Sequence, residues 1–202
     1  MEGMAGITAP FQEKEEVASF RRALHNQIRW IVDGIHESTV NGQVEEITIA
    51  DSHGSGTNLS YDELCAMDER ISLVSGSPRK HFMMSCLDET YDVVFLAGYH
   101  AGPGEPFANM DHSFSGRAVS CLKINGIYMN ESTNAALAGD YGVPVGLVVG
   151  DSGLRAQLID QKMMSWVEFV TTKESLSRYA AKFPPQKKLR EDTVAAVKKV
   201  LE

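Results

Sequence analysis

Cysteine is scarce in this chain of 202 residues. Cys65, Cys86 and Cys121 are odd in number and far apart, which speaks against a disulfide framework or a CxxC zinc site and fits a reducing cytoplasm. No apolar run approaches the roughly 20 residues that a membrane-spanning helix needs. The opening MEGMAGITAP has no basic stretch followed by an apolar one, so no secretory signal is read there. Positive charge is also short: 19 Lys and Arg stand against 27 Asp and Glu, a formal charge of -8. Affinity for nucleic-acid phosphates comes from clustered Lys and Arg, so neither a nucleic acid nor a membrane is expected as partner. Metal ions and cationic ligands stay open. Repeats, low-complexity tracts and a Gly-X-Ser-X-Gly elbow are missing too, the last counting against that type of serine hydrolase.

What is present is a core-forming composition, with 43% hydrophobic residues, enough for one ordinary domain over residues 1–202. Val17, Phe20, Leu24, Ile28, Ile31 and Ile35 recur at steps of three or four, predicting one amphipathic helix between Phe11 and Glu37. Strands are predicted over 45–50, 71–74, 91–97, 143–149 and 166–170. Helices are predicted over 78–88 and 131–141, after the strand at 143–149, and from Val170 to the end around Pro184 and Pro185. Asn125-Gly126 marks a β-hairpin within 113–129. Strands alternating with helices give an α/β fold with a mixed, mainly parallel sheet covered by helices. The first long helix has no strand before it, so the sequence is expected to start inside a strand-to-helix loop.

In open α/β sheets, ligands bind beyond the carboxyl ends of the strands, and potential metal ligands cluster there. His53 follows the strand ending at Ala50, and His100 follows the one ending at Ala97. Glu2 falls in the first loop, Glu131 opens the small-residue helix, and His112 lies in the Gly/Pro-rich loop after His100. Imidazoles and carboxylates from separate loops suit zinc, and a carboxylate bridging two ions makes a two-metal hydrolytic site. Singly, each residue has a plainer reading: His53 as a surface loop residue, His100 as a packed histidine, Glu131 as a charge at a helix start.

The fragments MEGMAG, ADSHG, LAGYHA, MDHSFSG, INGIYMNE and VPVGLVVGD follow one another in this order. Together they resemble the binuclear zinc D-aminopeptidase family of the dipeptide-operon type, from Met1 to at least Asp151. The resemblance implies that Glu2, His53, His100 and Glu131 are zinc ligands and that His112 is a catalytic histidine near the metals. It implies two zinc ions per subunit, a short peptide substrate, and release of N-terminal D-amino acids by a metal-activated water. It also implies a ring-like homo-oligomer, a pentamer or decamer. The family's opening motif begins with an aspartate that contacts both metals, and its place lies immediately before Met1. The chain is therefore expected to be shortened at both ends relative to the family and to lack its first strand. The alternative expectation is a non-catalytic, oligomeric or peptide-binding member with a degenerate metal site.

Other features have ordinary readings. Arg79, Lys80 and His81 are expected on a solvated helix face, and the late Lys/Arg cluster is interleaved with acids. Met83, Met84, Met163 and Met164 read as gap-filling core or interface, and Cys65 and Cys86 as helix core. Gly150-Asp151-Ser152-Gly153 lacks the Lys-Ser/Thr of a phosphate loop.

Overall fold

The computed structural model describes residues 1–115, 117–129 and 133–202, and side chains at all of these but 124 and 127–129. Where one helix is predicted at the start, two occur: α1 (Gln12–Glu15) and α2 (Val17–His36). Glu16, at φ -120° and ψ 40°, leaves the helical region and separates them. The predicted stripe is buried along α2 from Phe20 to Ile35, while Val17 at its first turn is exposed. Strands β1 (Ile47–Ala50) and β2 (Ile71–Val74) pair in parallel, with Ile47 opposite Ile71. Between them lies α3 (Tyr61–Leu64), where the Ser60 hydroxyl caps the helix by accepting from the Glu63 N–H.

Next come β3 (Val94–Tyr99), the hairpin β4 (Leu122–Ile124) and β5 (Ile127–Met129), and α4 (Asn134–Asp140). They are followed by β6 (Val145–Asp151), α5 (Ser152–Arg155), β7 (Glu168–Ser177), β8 (Ala180–Lys182) and α6 (Gln186–Leu201). Asn125 and Gly126 both have positive φ, 52° and 83°, the backbone that a two-residue hairpin turn requires. The main sheet has the order β3-β6-β7-β8, parallel except for β8 at its edge. The mixed, mainly parallel α/β class is as expected.

Side chains alternate across β6, so it feeds two cores. Leu147 and Val149 join Ile31 and Ile35 of α2, Val170 of β7, and Leu189 and Val197 of α6. Val148 faces the other way, toward Leu96, Leu154, Leu158, Met84 and Met164, and Val145, which lies before a shift in the β3–β6 register, joins the same cluster. The methionine pairs thus serve as core filling, with Met84 and Met164 buried. A third cluster packs Phe20, Leu24, Ile28 and Val32 of α2 against Met4, Ile7, Leu59, Leu64 and Ile71.

Two predicted elements need correction. Over 78–88 the only described helix is a short 3-10 turn, Phe82–Met84. His81, Phe82 and Cys86 have left-handed backbones, and the Ser85 hydroxyl donates to the Lys80 and Phe82 carbonyls, so side-chain bonding replaces the helical ladder. Cys86 is accordingly exposed rather than helix core, while Cys65 is half-buried at the end of α3. Past Val170 the chain continues as strand to Ser177 and turns back as β8, so helix resumes only after Pro185. Thr171 and Thr172 are β-branched and favour the strand.

Candidate metal centre

Glu2 is carried by a segment laid against the end of β3. The Gly3 N–H donates to the Gly98 carbonyl at 3.0 Å. A Cβ at Gly3 would lie 1.7 Å from the Tyr99 carbonyl oxygen, so the approach that brings Glu2 beside His100 requires glycine. From β7, the Thr172 hydroxyl donates to the Gly3 carbonyl and the Lys173 ammonium donates to the Glu2 carbonyl at 2.5 Å. Burial by itself raises the Glu2 pKa. The His53 hydrogen bond and the nearby His100 act against it and favour the ionised carboxyl.

His53 sits in the loop after β1, which folds around a buried carboxylate. Asp51 accepts from the backbone of Asn58 at 2.6 Å and Leu59 at 2.9 Å, and from the Asn58 side chain at 3.0 Å. The Arg79 guanidinium donates to the Asp51 carbonyl and, at 3.0 Å, to that of Gly76. The loop thereby turns His53 Nε2 to within 3.0 Å of Glu2 Oε1. Its Nδ1 is buried without a hydrogen-bond partner among the described residues, 4.0 Å from the Glu13 carboxylate.

His100 and His112 reach the same carboxylate together. Their rings stack with centroids 4.2 Å apart and planes inclined by 20°. His100 Nε2 lies 3.9 Å from Glu2 Oε2, and His112 Nε2 lies 3.8 Å from Glu2 Oε1. On the far side of each ring, Nδ1 meets a backbone carbonyl: Ala101 at 3.0 Å and Met110 at 2.7 Å. Donating Nδ1–H to those carbonyls leaves the Nε2 lone pairs aimed at Glu2, the arrangement that orients metal-ligating histidines.

Among the described residues, Glu2, His100 and His112 have donor atoms within 4.8 Å of one another. With His53 against the same carboxylate, this mixture of imidazole and carboxylate fits zinc. The predicted residues Glu2, His53, His100 and His112 are thus brought together, whereas Glu131 lies outside the described residues. They line a cavity of about 420 Å³ whose walls include Glu13, Phe82, Met83 and Phe114. A larger, open groove along α6 is lined by paired surface charges such as Arg190 and Glu37, at 3.1 Å, and gathers no imidazole among the described residues.

Three residues at or behind the site are missed by the sequence reading. Arg79 braces the His53 loop instead of lying on a solvated helix face. Glu13 brings its carboxylate to 4.0 Å from His53 Nδ1. Lys173 is completely buried behind Glu2, and burial pushes its ammonium down to about 8 against the pull of Asp151 and Glu2. A lysine within an otherwise strand-forming run is the only sequence signal for it.

A family model described as D-aminopeptidase matches residues 1–202. The D-aminopeptidase of Bacillus subtilis strain 168 is 30% identical over 148 residues, 70% of this chain and 50% of its own. The chain therefore spans about half the length of that curated relative. A solved structure, the Zn-dependent D-aminopeptidase DppA from Bacillus subtilis, described as a self-compartmentalizing protease, superposes with a TM-score of 0.85. It is 24% identical, and the match covers 100% of this chain and 71% of that one, so the fold is shared. With the family model matched from end to end, this chain belongs to the D-aminopeptidase family.

Proposed function

We propose that the protein is a zinc-dependent aminopeptidase that releases N-terminal D-amino acids from short peptides. The observation that carries this reading is the convergence of Glu2, His53, His100 and His112 at the carboxyl ends of the strands. In this reading Glu2, His53 and His100 are zinc ligands, joined by Glu131, and two ions are held per subunit. Bound zinc lowers the pKa of a water molecule and polarises a peptide carbonyl. The chain's own groups do the rest. Glu2 stays ionised and offers both oxygens. The Ala101 carbonyl keeps His100 in the tautomer whose Nε2 can ligate. His112, fixed by the Met110 carbonyl, takes up or delivers a proton at Nε2, where the leaving amine needs one. Phe82, Met83 and Phe114 line the cavity and give it an apolar wall for a substrate side chain.

The same reading includes assembly into a ring-like homo-oligomer, supported by the description of the Bacillus subtilis structure as a self-compartmentalizing protease. The test is hydrolysis of D-alanyl and L-alanyl dipeptides by protein expressed from the complete reading frame. Turnover of the D-peptides that stops on chelation and returns with zinc is expected. Turnover indifferent to chelator, or confined to L-peptides, would overturn the reading.

A further inference from the structure

Lys173 is fully buried in β7, behind the cavity-lining Glu2, whose backbone carbonyl it meets. Its three protons meet three acceptors: the Glu2 carbonyl at 2.5 Å, the Ile7 carbonyl at 2.5 Å and Asn109 Oδ1 at 2.7 Å. Asn109 extends the connection. Its side-chain amide donates to the Thr8 carbonyl at 3.2 Å and the Arg178 carbonyl at 3.1 Å. Its backbone N–H donates to Asp151 Oδ2 at 3.2 Å, and that carboxylate also accepts from the Ser175 hydroxyl and, through Oδ1, from the Leu154 N–H. Next in the chain, the Met110 N–H donates to Arg178, and the Met110 carbonyl holds His112 Nδ1.

One ammonium therefore ties the segment bearing Glu2 to the segment bearing His112, and both to the ends of β6 and β7. An apolar residue of similar volume often stabilises a fold as well as a buried charge does. A cation here does something an apolar side chain cannot: it requires two backbone carbonyls and an amide oxygen to converge on one point.

We propose that Lys173 is a positioning residue that sets the spacing between the Glu2 carboxylate and the His100–His112 pair, and through it the affinity of the site for zinc. The inference rests on the metal-site reading given above. The test compares wild type, Lys173→Met and a control, Gln27→Met, which removes a buried hydrogen bond to Thr193 between α2 and α6. Zinc dissociation constants are measured by chelator competition, the cobalt-loaded proteins by their visible absorption spectra, and stability by thermal unfolding. Lys173→Met is expected to weaken zinc binding by about 10–100-fold and to change the cobalt spectrum. Gln27→Met is expected to lower the unfolding temperature while keeping the wild-type zinc constant and spectrum. A Lys173→Met protein with wild-type zinc affinity and spectrum overturns the inference. Should that variant fail to fold, Lys173→Gln decides on the same terms. Wild-type protein with no affinity for zinc would overturn the metal-site reading itself, and this inference with it.

Discussion

His100 and His112 stack face to face, 4.2 Å between ring centroids, with both Nε2 atoms turned toward the Glu2 carboxylate. Their chemical environments differ in one respect. His100 is buried at the end of β3, whereas His112 is half-buried in a loop beside the cavity. The buried imidazole suits a fixed ligand and the more accessible one suits proton transfer to a substrate.

His112→Ala is therefore expected to lower peptide turnover by about 100-fold or more while zinc content stays at the wild-type level. Elemental analysis and a turnover assay on the same sample check this. Zinc lost in step with activity would make His112 a ligand instead, as its place in the compact group with Glu2 and His100 allows.

Gly3→Ala tests the close approach that delivers Glu2. The added methyl would meet the Tyr99 carbonyl at 1.7 Å, so the segment must move away from β3 and carry Glu2 with it. The variant is expected to keep its far-ultraviolet circular dichroism and lose zinc affinity. Wild-type zinc affinity would show that Glu2 does not depend on this contact.

Away from the site, the Arg70 guanidinium forks onto Asp68, with Nη2 at 2.6 Å and Nε at 3.0 Å, and His36 Nε2 adds a contact at 2.6 Å. Hydrogen bonding to Arg70 holds the Asp68 carboxyl well below its usual range, against the opposing effect of burial. A depressed folded-state pKa gives stability that is fully present above the unfolded-chain value, about 3.9, and is lost as pH falls through the folded-state value. Asp68→Asn should cost about 1–3 kcal/mol near neutral pH, and its gap from wild type should narrow as pH falls below about 4. Denaturant unfolding at pH 7 and at pH 3 measures both. A gap that does not depend on pH would contradict the pairing.

Much of the site was legible because its residues follow strand ends in short motifs. His53 after Ala50 and His100 after β3 sit where an α/β sheet places ligands, and the spacing of apolar residues along α2 foretold the face that packs against the sheet. Lys173 was illegible for a physical reason: its acceptors are mostly backbone carbonyls, and that of Glu2 lies 171 positions away. Within Thr-Thr-Lys-Glu the fold buries Thr172 and Lys173 and leaves Glu174 exposed, a division that the run of polar residues does not reveal. Arg79 was misread because the carbonyl of Asp51, 28 positions away, meets it only in the fold, and because Ser85 and the left-handed His81 and Phe82 keep the 78–88 segment from becoming the expected helix. Glu13 becomes a neighbour of His53, 40 positions away, only in the folded chain.

The most direct test of the account is zinc content per subunit, measured for wild type, Glu2→Gln and His100→Ala expressed from the complete reading frame, with D-alanyl peptide hydrolysis assayed on the same samples. The account predicts about two zinc ions per subunit in an active wild type, and variants that remain folded with less zinc and little turnover. A folded wild type without zinc, or variants that keep full zinc and full turnover, would contradict it.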